Sequence, residues 1–247
     1  MSKLKEPTWS DAIEQAIIRL GYLATLKQIY EIAPQIKSHK GLTPNKTINE
    51  RVQRDNRFYK IKPGLYALTN YLDKLPDIYN PTIEKSEKEK VHINHSYIQG
   101  LLLEIGNING FNTYTPDKNS LFLSKKLKNI STISNLPNFT FSSIIKSAKY
   151  IDVIWLNKRN FPSTVFEVEH STDFRNSLVK FVELQDFRTS MRLISPDNNL
   201  KIEKFKREIN KSAFSSIKDR VELFNYGQVI KIYNNQIIAK QFKSFFK

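Results

Sequence analysis

Three acidic side chains within residues 150–172, YIDVIWLNKRNFPSTVFEVEHST, have the types and spacing of a metal-binding site. Asp152 lies near the start of one run of β-branched and aromatic residues, and Glu167 and Glu169 lie at the end of a second run. Carboxylate oxygens that converge on one point are the ligands that Mg²⁺ prefers, with room left for water and phosphate oxygens. The stretch therefore predicts a divalent-cation site, provided that the chain brings the two runs together.

The two runs, 151–156 and 164–169, predict the paired strands of an antiparallel β-hairpin around a polar loop. Folding about this loop places Asp152 beside the glutamates, and the i, i+2 spacing of Glu167 and Glu169 puts both on one face of their strand. Apolar residues on either side of the acids indicate strands buried on both faces, where a charge is costly unless it is paired or bound to metal. Acids in strands also occur as ordinary surface residues, and this alternative stays open here.

The composition narrows the class of protein. The 247 residues carry a formal charge of +15, which predicts a polyanionic partner, either nucleic acid or an anionic membrane surface. The sequence contains no cysteine, so disulfide scaffolds, thiol catalysis and cysteine zinc sites are excluded. No apolar run is long enough to span a membrane, and the first residues, MSKLKEPTWSD, lack the apolar segment of a signal peptide. We therefore expect a soluble, cytoplasmic protein.

The N-terminal residues have the pattern of three short helices followed by a β-hairpin. Capping boxes that begin at Thr8 and Thr25 predict the first two helices, and the third is expected to begin at Pro44 with Thr43 as its cap. Residues 58–68, FYKIKPGLYAL, predict two strands joined by a type II turn at Pro-Gly. Three helices and a hairpin in this order are typical of a winged helix, the helix-turn-helix variant with a β wing.

A winged helix of this kind would contact both bases and phosphates of DNA. Lysine pairs with guanine acceptors, and asparagine or glutamine pairs with adenine. On the outward side of the third helix, the base-edge candidates are Lys46, Asn49 and Gln53. Phosphate contacts, which make affinity fall with salt, are expected from basic residues of the wing and its approach. These candidates are Arg54, Arg57, Lys60 and Lys62.

The rest of the chain predicts a second domain with both helices and strands. We assign residues 1–72 to the winged-helix domain, 73–90 to a charged linker and 91–247 to the second domain. In the second domain the patterns predict a helix ending near Gly106 and a strand at 111–115. After the hairpin they predict a helix at 176–193, two amphipathic segments at 201–209 and 214–224, and a strand at 228–233.

Two resemblances to known families extend these expectations. TWSDAIEQAI, KGLTPNKTI and RDNRFYKIKPGLYAL, within residues 7–69, resemble the HARE-type winged-helix domain. That resemblance implies a domain linked to DNA transactions, in a family that includes fusions to restriction nucleases. A winged helix that contacts only protein is the alternative.

The order of helix, strand, Asp strand, Glu-x-Glu strand and helix resembles the core of the PD-(D/E)XK nuclease superfamily. That resemblance implies an α/β (α+β) fold with a mixed sheet flanked by helices. It implies that Asp152 and Glu167 bind Mg²⁺ and that Glu104 matches the helical acid that some members add. Glu169 stands where most members carry a lysine, although some restriction endonucleases of the superfamily have glutamate there. Glu169 is then expected to accept a proton from the attacking water or to share the metal.

Taken with the basic charge, the resemblances imply a Mg²⁺-dependent, sequence-specific endonuclease of double-stranded DNA, a type II restriction enzyme. Lys158 and His170 are additional candidates for phosphate contact. A homodimer is one arrangement that could cut both strands, and a cognate DNA methyltransferase is implied as a functional partner rather than a bound subunit. The alternatives are a non-enzymatic DNA-binding regulator on a degenerate nuclease fold, and a repair or RNA-directed nuclease of the same fold.

Overall fold

The structure, a computed structural model, describes residues 6–37 and 44–243. The chain divides into two compact units, one formed by residues 1–85 with 232–247 and the other by residues 86–231. Elements of the first unit before residue 85 are α1 (Trp9–Arg19), β1 (Leu23–Thr25), α2 (Leu26–Ile36), α3 (Pro44–Arg54), β2 (Phe58–Lys62), β3 (Leu65–Leu68) and a 3-10 helix (Thr69–Lys74).

The first two helices begin at the predicted capping boxes. The Thr8 side chain accepts a hydrogen bond from the Asp11 N–H, and the Asp11 carboxylate accepts one from the Thr8 N–H. Thr25 and Gln28 make the same reciprocal pair at the start of α2. Each box satisfies two backbone donors that a helix start otherwise leaves unpaired. The prediction of these two helix starts is confirmed, whereas the predicted cap of α3, Thr43, lies outside the described residues.

The three helices and three strands of this unit enclose one apolar core. β3 pairs antiparallel with both β1 and β2, and the turn between β2 and β3 places Gly64 at a φ of 75°. That angle is the one a type II turn requires at its third residue, which explains the Pro-Gly sequence. The core is built from Ala12, Ile13, Ala16, Ile17, Ile29, Ala33, Ile48, Val52, Tyr66 and Leu68.

Arg57 joins the loop before β2 to α1 through three carboxylates. Its Nη1 donates to Asp11 Oδ1 at 3.0 Å and to Glu14 Oε2 at 2.8 Å, and its Nη2 donates to Asp55 Oδ2 at 2.9 Å. Hydrogen bonds from Thr8 and then Arg57 lower the pKa of Asp11 to about 2, and Arg57 holds the pKa of Asp55 well below its usual range. The Arg57 guanidinium therefore stabilises the fold of the first unit, which we also call the N-terminal unit.

We expect Arg57→Met to lower the free energy of unfolding of this unit by about 1 kcal/mol at pH 7, because the ion pairs are partly exposed and screened by solvent. The two tryptophans are Trp9 and Trp155, so urea unfolding followed by Trp9 fluorescence in a Trp155→Phe background reports on the N-terminal unit. Arg54→Met, which breaks only the exposed pair with Glu50, is the control and should change stability by less than about 0.5 kcal/mol.

The same variant should show a defined dependence on pH. Asp11 and Asp55 have lower pKa values in the folded state than in the unfolded state. The stability that they contribute is therefore fully present above their unfolded pKa of about 4, and it is lost as pH falls towards 2. The stability difference between the wild-type chain and the Arg57→Met variant should therefore shrink between pH 4 and pH 2. A difference that stays constant over this range would show that the arginine acts by packing rather than by charge.

Elements of the second unit are α4 (Glu87–Ile108), β4 (Asn112–Tyr114), β5 (Leu121–Phe122), β6 (Lys125–Lys126), α5 (Ser142–Ala148), β7 (Val153–Leu156), β8 (Pro162–Val168), α6 (Arg175–Val182), β9 (Ser190–Ser195), α7 (Asn199–Ile209), β10 (Val221–Asn225) and the start of α8 (Tyr226–Lys243). Short 3-10 helices lie at Leu127–Asn129, Ser212–Phe214 and Lys218–Arg220. The remainder of α8, from Ile232, belongs to the first unit.

A mixed five-stranded sheet organises the second unit, in the order β10-β9-β8-β7-β4. Neighbours among β4, β7 and β8 are antiparallel, whereas β8, β9 and β10 are parallel. Ile154 on one face packs in the core with Leu178 of α6 and Phe205 of α7. Trp155, on the opposite face because side chains alternate, donates from its indole N–H to the Leu102 carbonyl of α4 at 3.0 Å. The expected α+β fold with a mixed sheet is confirmed.

Two element predictions in the C-terminal half were wrong. The helix predicted at 176–193 ends at Val182, and its last residues belong to β9, an interior strand between β10 and β8. Leu184, Phe187 and Met191 are three or four residues apart, which imitates a helix face, but turns at 183–187 end the helix before Met191, which lies in β9. In β9, Met191 and Leu193 are both fully buried, and their spacing of two residues is that of one face of a strand.

The second wrong prediction is the strand at 228–233, which lies in α8, whereas the amphipathic segment at 214–224 contains most of β10. The 3-10 helices at Ser212–Phe214 and Lys218–Arg220 precede β10, so Phe214 and Ile217 reach the core from turns and Val221 reaches it from the strand. Asn225 and Gln228 form a reciprocal cap at the start of α8, each side chain accepting the other's backbone N–H at 2.8 Å. That cap starts a helix where alternating apolar residues suggested a strand.

α4 begins inside the charged stretch 73–90. The Ser86 side chain accepts a hydrogen bond from the Glu89 N–H, and the Glu89 carboxylate accepts the Ser86 N–H at 2.9 Å. Acidic residues in the first turn, Glu87 and Glu89, also favour a helix start through the helix dipole. Within the described part of the chain, no helix is both long and apolar enough to cross a membrane.

Candidate active site

The β7–β8 hairpin brings Asp152 and Glu167 to the same end of the sheet. Val153 pairs with Phe166, so Asp152, the residue just before β7, lies opposite Glu167, the last residue but one of β8. The Asp152 N–H donates to Glu167 Oε1 at 3.2 Å, and the Val168 N–H donates to Asp152 Oδ2 at 2.8 Å. The hairpin prediction is confirmed, and these hydrogen bonds fix two carboxylates on adjacent strands.

Lys180, from α6, is bound to Glu167. Its Nζ lies 2.8 Å from Oε2 and 3.0 Å from Oε1 of Glu167, and it donates to the Tyr150 carbonyl at 2.9 Å. Glu167 is 4% exposed, so it needs a partner for its charge. Burial raises the pKa of Glu167 well above its usual range, Asp152 adds to this rise, and Lys180 opposes it. The cation therefore helps to keep Glu167 ionised.

His95, from α4, contacts the other acid. Its Nε2 lies 3.4 Å from Asp152 Oδ1. Burial lowers the pKa of His95, but the hydrogen bond and charge of Asp152, with the charges of Asp117 and Glu167, raise it overall above its ordinary value. The two oxygens of Asp152 are thus held by a backbone N–H on one side and an imidazole on the other.

Glu169 follows the last residue of β8 and is held by the loop and helix after it. Its Oε1 accepts the Ser171 N–H at 2.8 Å, and its Oε2 accepts the hydroxyl of Ser177 in α6 at 3.3 Å. Ser177 and Lys180 both belong to α6, so Glu167 and Glu169 are engaged by one helix. This agrees with their expected position on one face of the strand.

A third group of polar residues surrounds the loop after β8. The Tyr226 hydroxyl lies 3.3 Å from His170 Nδ1, and the Lys201 ammonium group donates to the His170 carbonyl. Burial, Lys201 and His95 lower the pKa of His170. Burial, with the charges of Glu169 and Asp152, raises the pKa of Tyr226. These shifts show that the group lies within the electrostatic field of the acids.

Comparison with known proteins identifies the family. Residues 74–246 match the family model described as the type II restriction enzyme NmeDI C-terminal domain. The chain belongs to the NmeDI C-terminal domain family. A curated relative, the type II restriction enzyme NmeDI of Neisseria meningitidis serogroup C, is 28% identical over 152 residues, or 57% of this chain. The match covers 42% of that relative's length. No solved structure matches the chain.

The residues matched to the NmeDI C-terminal domain include every part of the site described above. They do not include α1 to β3, so the N-terminal helices and hairpin lie outside the family match. In this family member, two predicted residues lie away from the paired acids. Glu104 is nine residues beyond His95 on α4, about 13 Å along the helix axis. Lys158 lies in the β7–β8 turn, at the opposite end of the hairpin from Asp152.

The site of this NmeDI C-terminal domain has two neighbouring acids, joined by the Asp152 N–H hydrogen bond to Glu167, rather than a larger ligand cluster. Across residues 6–37 and 44–243, no group of three or more histidine, aspartate or glutamate side chains is arranged to hold a metal ion. Mg²⁺ is commonly held by one or two carboxylates and completes its shell with water and substrate phosphate oxygens. Asp152 and Glu167 therefore fit this cation, whereas Glu104 is not positioned beside them.

Two contributors to the site were not predicted from the sequence. Lys180 and His95 lie 13 residues after Glu167 and 57 residues before Asp152, and helix packing alone brings them to the acids. One signal for Lys180 was available in the resemblance to the PD-(D/E)XK superfamily, because most of its members carry a lysine where this chain has Glu169, and a cation from a nearby element could replace it. For His95, the useful signal was its place on the helix that was expected to supply an acid.

The predicted DNA-contacting residues of the N-terminal unit differ in their surroundings. Lys46 and Lys60 are exposed, and Arg54 pairs with Glu50 on the outer side of α3. Gln53 Nε2 donates to Asn49 Oδ1 at 3.0 Å, which aligns the two amides one turn apart. Burial, with a contribution from Lys85, lowers the pKa of Lys62 to about 8.

Proposed function

We propose that this protein is a Mg²⁺-dependent, sequence-specific endonuclease of double-stranded DNA, a type II restriction enzyme of PD-(D/E)XK type with an N-terminal winged helix. The observation that carries the proposal is the direct contact of Asp152 with Glu167, with Lys180 bound to both oxygens of the glutamate. Family membership and the net charge of +15 support it. The arrangement of α1 to β3 supports the winged helix.

Asp152 and Glu167 would hold the cation. When bound there, Mg²⁺ would polarise the scissile phosphate and lower the pKa of a coordinated water. Val168 and His95 fix the two oxygens of Asp152, so the carboxylate needs little reorganisation when substrate arrives. Lys180 holds Glu167 in place and supplies positive charge close to where the phosphate gains negative charge.

Glu169 and His170 have supporting roles in this proposal. Each Glu169 oxygen accepts one hydrogen bond, which leaves the carboxylate able to accept a proton from the attacking water. His170 is held between Tyr226 and Lys201 and is a candidate for contact with a neighbouring phosphate. A homodimer would present one such site to each DNA strand, and a cognate methyltransferase would protect host DNA without being a bound subunit.

The decisive experiment is incubation of the purified protein with unmethylated phage DNA, in Mg²⁺ and in EDTA, followed by gel electrophoresis. Discrete fragments that appear only with Mg²⁺ are expected. A smear would instead indicate a nonspecific nuclease, and preferential cutting of RNA or single strands would indicate the repair or RNA-directed class. Uncut DNA that is nevertheless bound, over several metals and modification states, would support the non-enzymatic regulator.

We expect Asn49→Ala to weaken or relax sequence choice at one base pair by about 1–3 kcal/mol, because an amide of this kind reads an adenine edge. The measurement is binding of the variant to the mapped site and to each single-base substitution of it. Arg54→Gln is the matched contrast. It should weaken binding uniformly across sequences and reduce the salt slope by about 1. An unchanged preference at every base pair in the Asn49 variant would remove that residue from the readout.

A further inference from the structure

An exposed aromatic ring stands beside the candidate active site. Tyr150 is 70% exposed, whereas its neighbour Ile151 is fully buried and Asp152 follows directly. The Tyr150 carbonyl accepts a hydrogen bond from Lys180, the same ammonium group that binds Glu167. The ring is therefore attached to a backbone carbonyl that is linked to the Glu167 carboxylate by two hydrogen bonds, both donated by Lys180.

The backbone under this ring is held at several points. The Tyr114 hydroxyl donates to the Lys149 carbonyl at 3.2 Å, and the Ile151 N–H donates to the Ala148 carbonyl at 3.0 Å. The Tyr150 N–H donates to the Ser147 carbonyl at 3.2 Å. A ring on an ordered backbone loses little conformational entropy when a partner covers it. Tyr150 is thus preorganised for contact.

The segment that leads to Tyr150 carries positive charge and no acid. Residues 118–151 contain six lysines and neither aspartate nor glutamate, and all six lysines are exposed. At the end of α5, Lys146 lies three residues before Lys149 and four before Tyr150, so the three share one side of that helix end. Lysines beside an exposed aromatic ring match a nucleic-acid strand, in which phosphates alternate with flat bases.

We propose that Lys146, Lys149 and Tyr150, here called the α5 surface, bind the DNA strand next to the scissile phosphate. The lysines contact backbone phosphates, and the Tyr150 ring packs against the base or sugar of the adjoining nucleotide. The position of the scissile phosphate rests on the proposed nuclease function. DNA binding by the α5 surface does not require cleavage, so the two can be tested separately.

The first test is the salt dependence of binding to a fluorescent, mixed-sequence DNA duplex in EDTA. Each phosphate contact adds about 0.9 to the slope of log K against log salt. The double variant Lys146→Gln with Lys149→Gln should therefore lower the slope by about 1.8. Lys125→Gln with Lys126→Gln removes the same charge from β6 and should leave the slope unchanged. The lysine contacts would be overturned if the wild type and the α5 double variant had equal slopes. They would also be overturned if the α5 and β6 double variants lowered the slope equally.

The second test is photocrosslinking to a set of duplexes that carry 5-iododeoxyuridine at successive positions, with the crosslinked peptide identified by mass spectrometry. Crosslinks are expected at Tyr150 and not at Phe141, which is 80% exposed at the other end of α5. Crosslinking at Phe141 alone, or at neither ring across the whole set, would overturn the aromatic contact.

The outcomes separate this inference from the nuclease proposal. Mg²⁺-dependent fragments together with an unchanged slope for the α5 double variant would refute the α5 surface and leave the nuclease standing. The reverse pattern, a lowered slope and a Tyr150 crosslink without cleavage in any metal, would establish the α5 surface on a DNA-binding protein that does not cut.

Discussion

Asp152→Asn should abolish DNA cleavage, with a loss of at least about 1,000-fold in rate, while leaving DNA binding within a few-fold. The substitution removes the negative charge that the cation requires. It keeps an oxygen that can accept the Val168 N–H at the same position, so the hairpin should remain folded. Cleavage is measured on phage DNA in Mg²⁺, and binding is measured separately on duplex DNA in EDTA.

Asp173→Asn is the matched control for that experiment. Asp173 is exposed, lies in the loop before α6 and caps the Arg175 N–H at 3.1 Å, so its replacement removes one charge near the site without touching the paired acids. Its cleavage rate should stay within a few-fold of wild type. Loss of folding and binding together in the Asp152 variant would show that this acid is structural rather than catalytic.

Lys180→Met should lower the cleavage rate by about 100- to 1,000-fold, because it removes the positive charge at the reacting phosphate. It also leaves Glu167, which is buried beside Asp152, without its cation. The pKa of Glu167 should rise further, so the remaining activity should require a higher pH than in wild type. A pH–rate profile measures this shift, and Lys206→Met on the exposed side of α7 provides the control.

A rescue variant can decide whether Lys180 acts as the lysine that nucleases of the PD-(D/E)XK superfamily, which the hairpin resembles, usually carry at the place of Glu169. Adding Glu169→Lys to Lys180→Met should restore part of the lost activity, because the new ammonium group would approach the same acids from β8. If the double variant is no more active than Lys180→Met, either the ammonium group must come from α6 to act, or Lys180 only stabilises the folded state. Urea unfolding of both variants distinguishes these two results.

Local patterns predicted much of the fold because their causes are local. The caps at Thr8 and Thr25, the Pro-Gly turn before β3 and the β7–β8 hairpin each depend on residues close in sequence, and the structure contains all four. The acids of the site followed from the hairpin. Errors arose where the core, rather than local preference, determines the element, as in β9, whose position between β8 and β10 overrides a helix-like spacing of apolar residues.

The remaining parts of the site could not be predicted because they depend on packing between distant elements. His95 reaches Asp152 only because α4 lies along the sheet face of Trp155, and Lys180 reaches Glu167 only because α6 lies on the opposite face. A pattern along one helix can indicate which side is buried, but it does not indicate which strand end that side will meet. Glu104 illustrates this limit, since it is on the expected helix but more than two turns from His95.

The mixed order of the sheet has a consequence for how the protein matures on the ribosome. The β7–β8 hairpin needs only contacts between neighbours in sequence, whereas β9 and β10 join β8 through crossover connections and pair in parallel. A nascent chain therefore contains both acids long before the strand that completes the sheet has been synthesised. Until β10 emerges, β9 has an unpaired edge and the sheet beneath the acids is incomplete. Assembly in this order would delay completion of the sheet beneath the acids until nearly all of the second unit, residues 86–231, has left the ribosome.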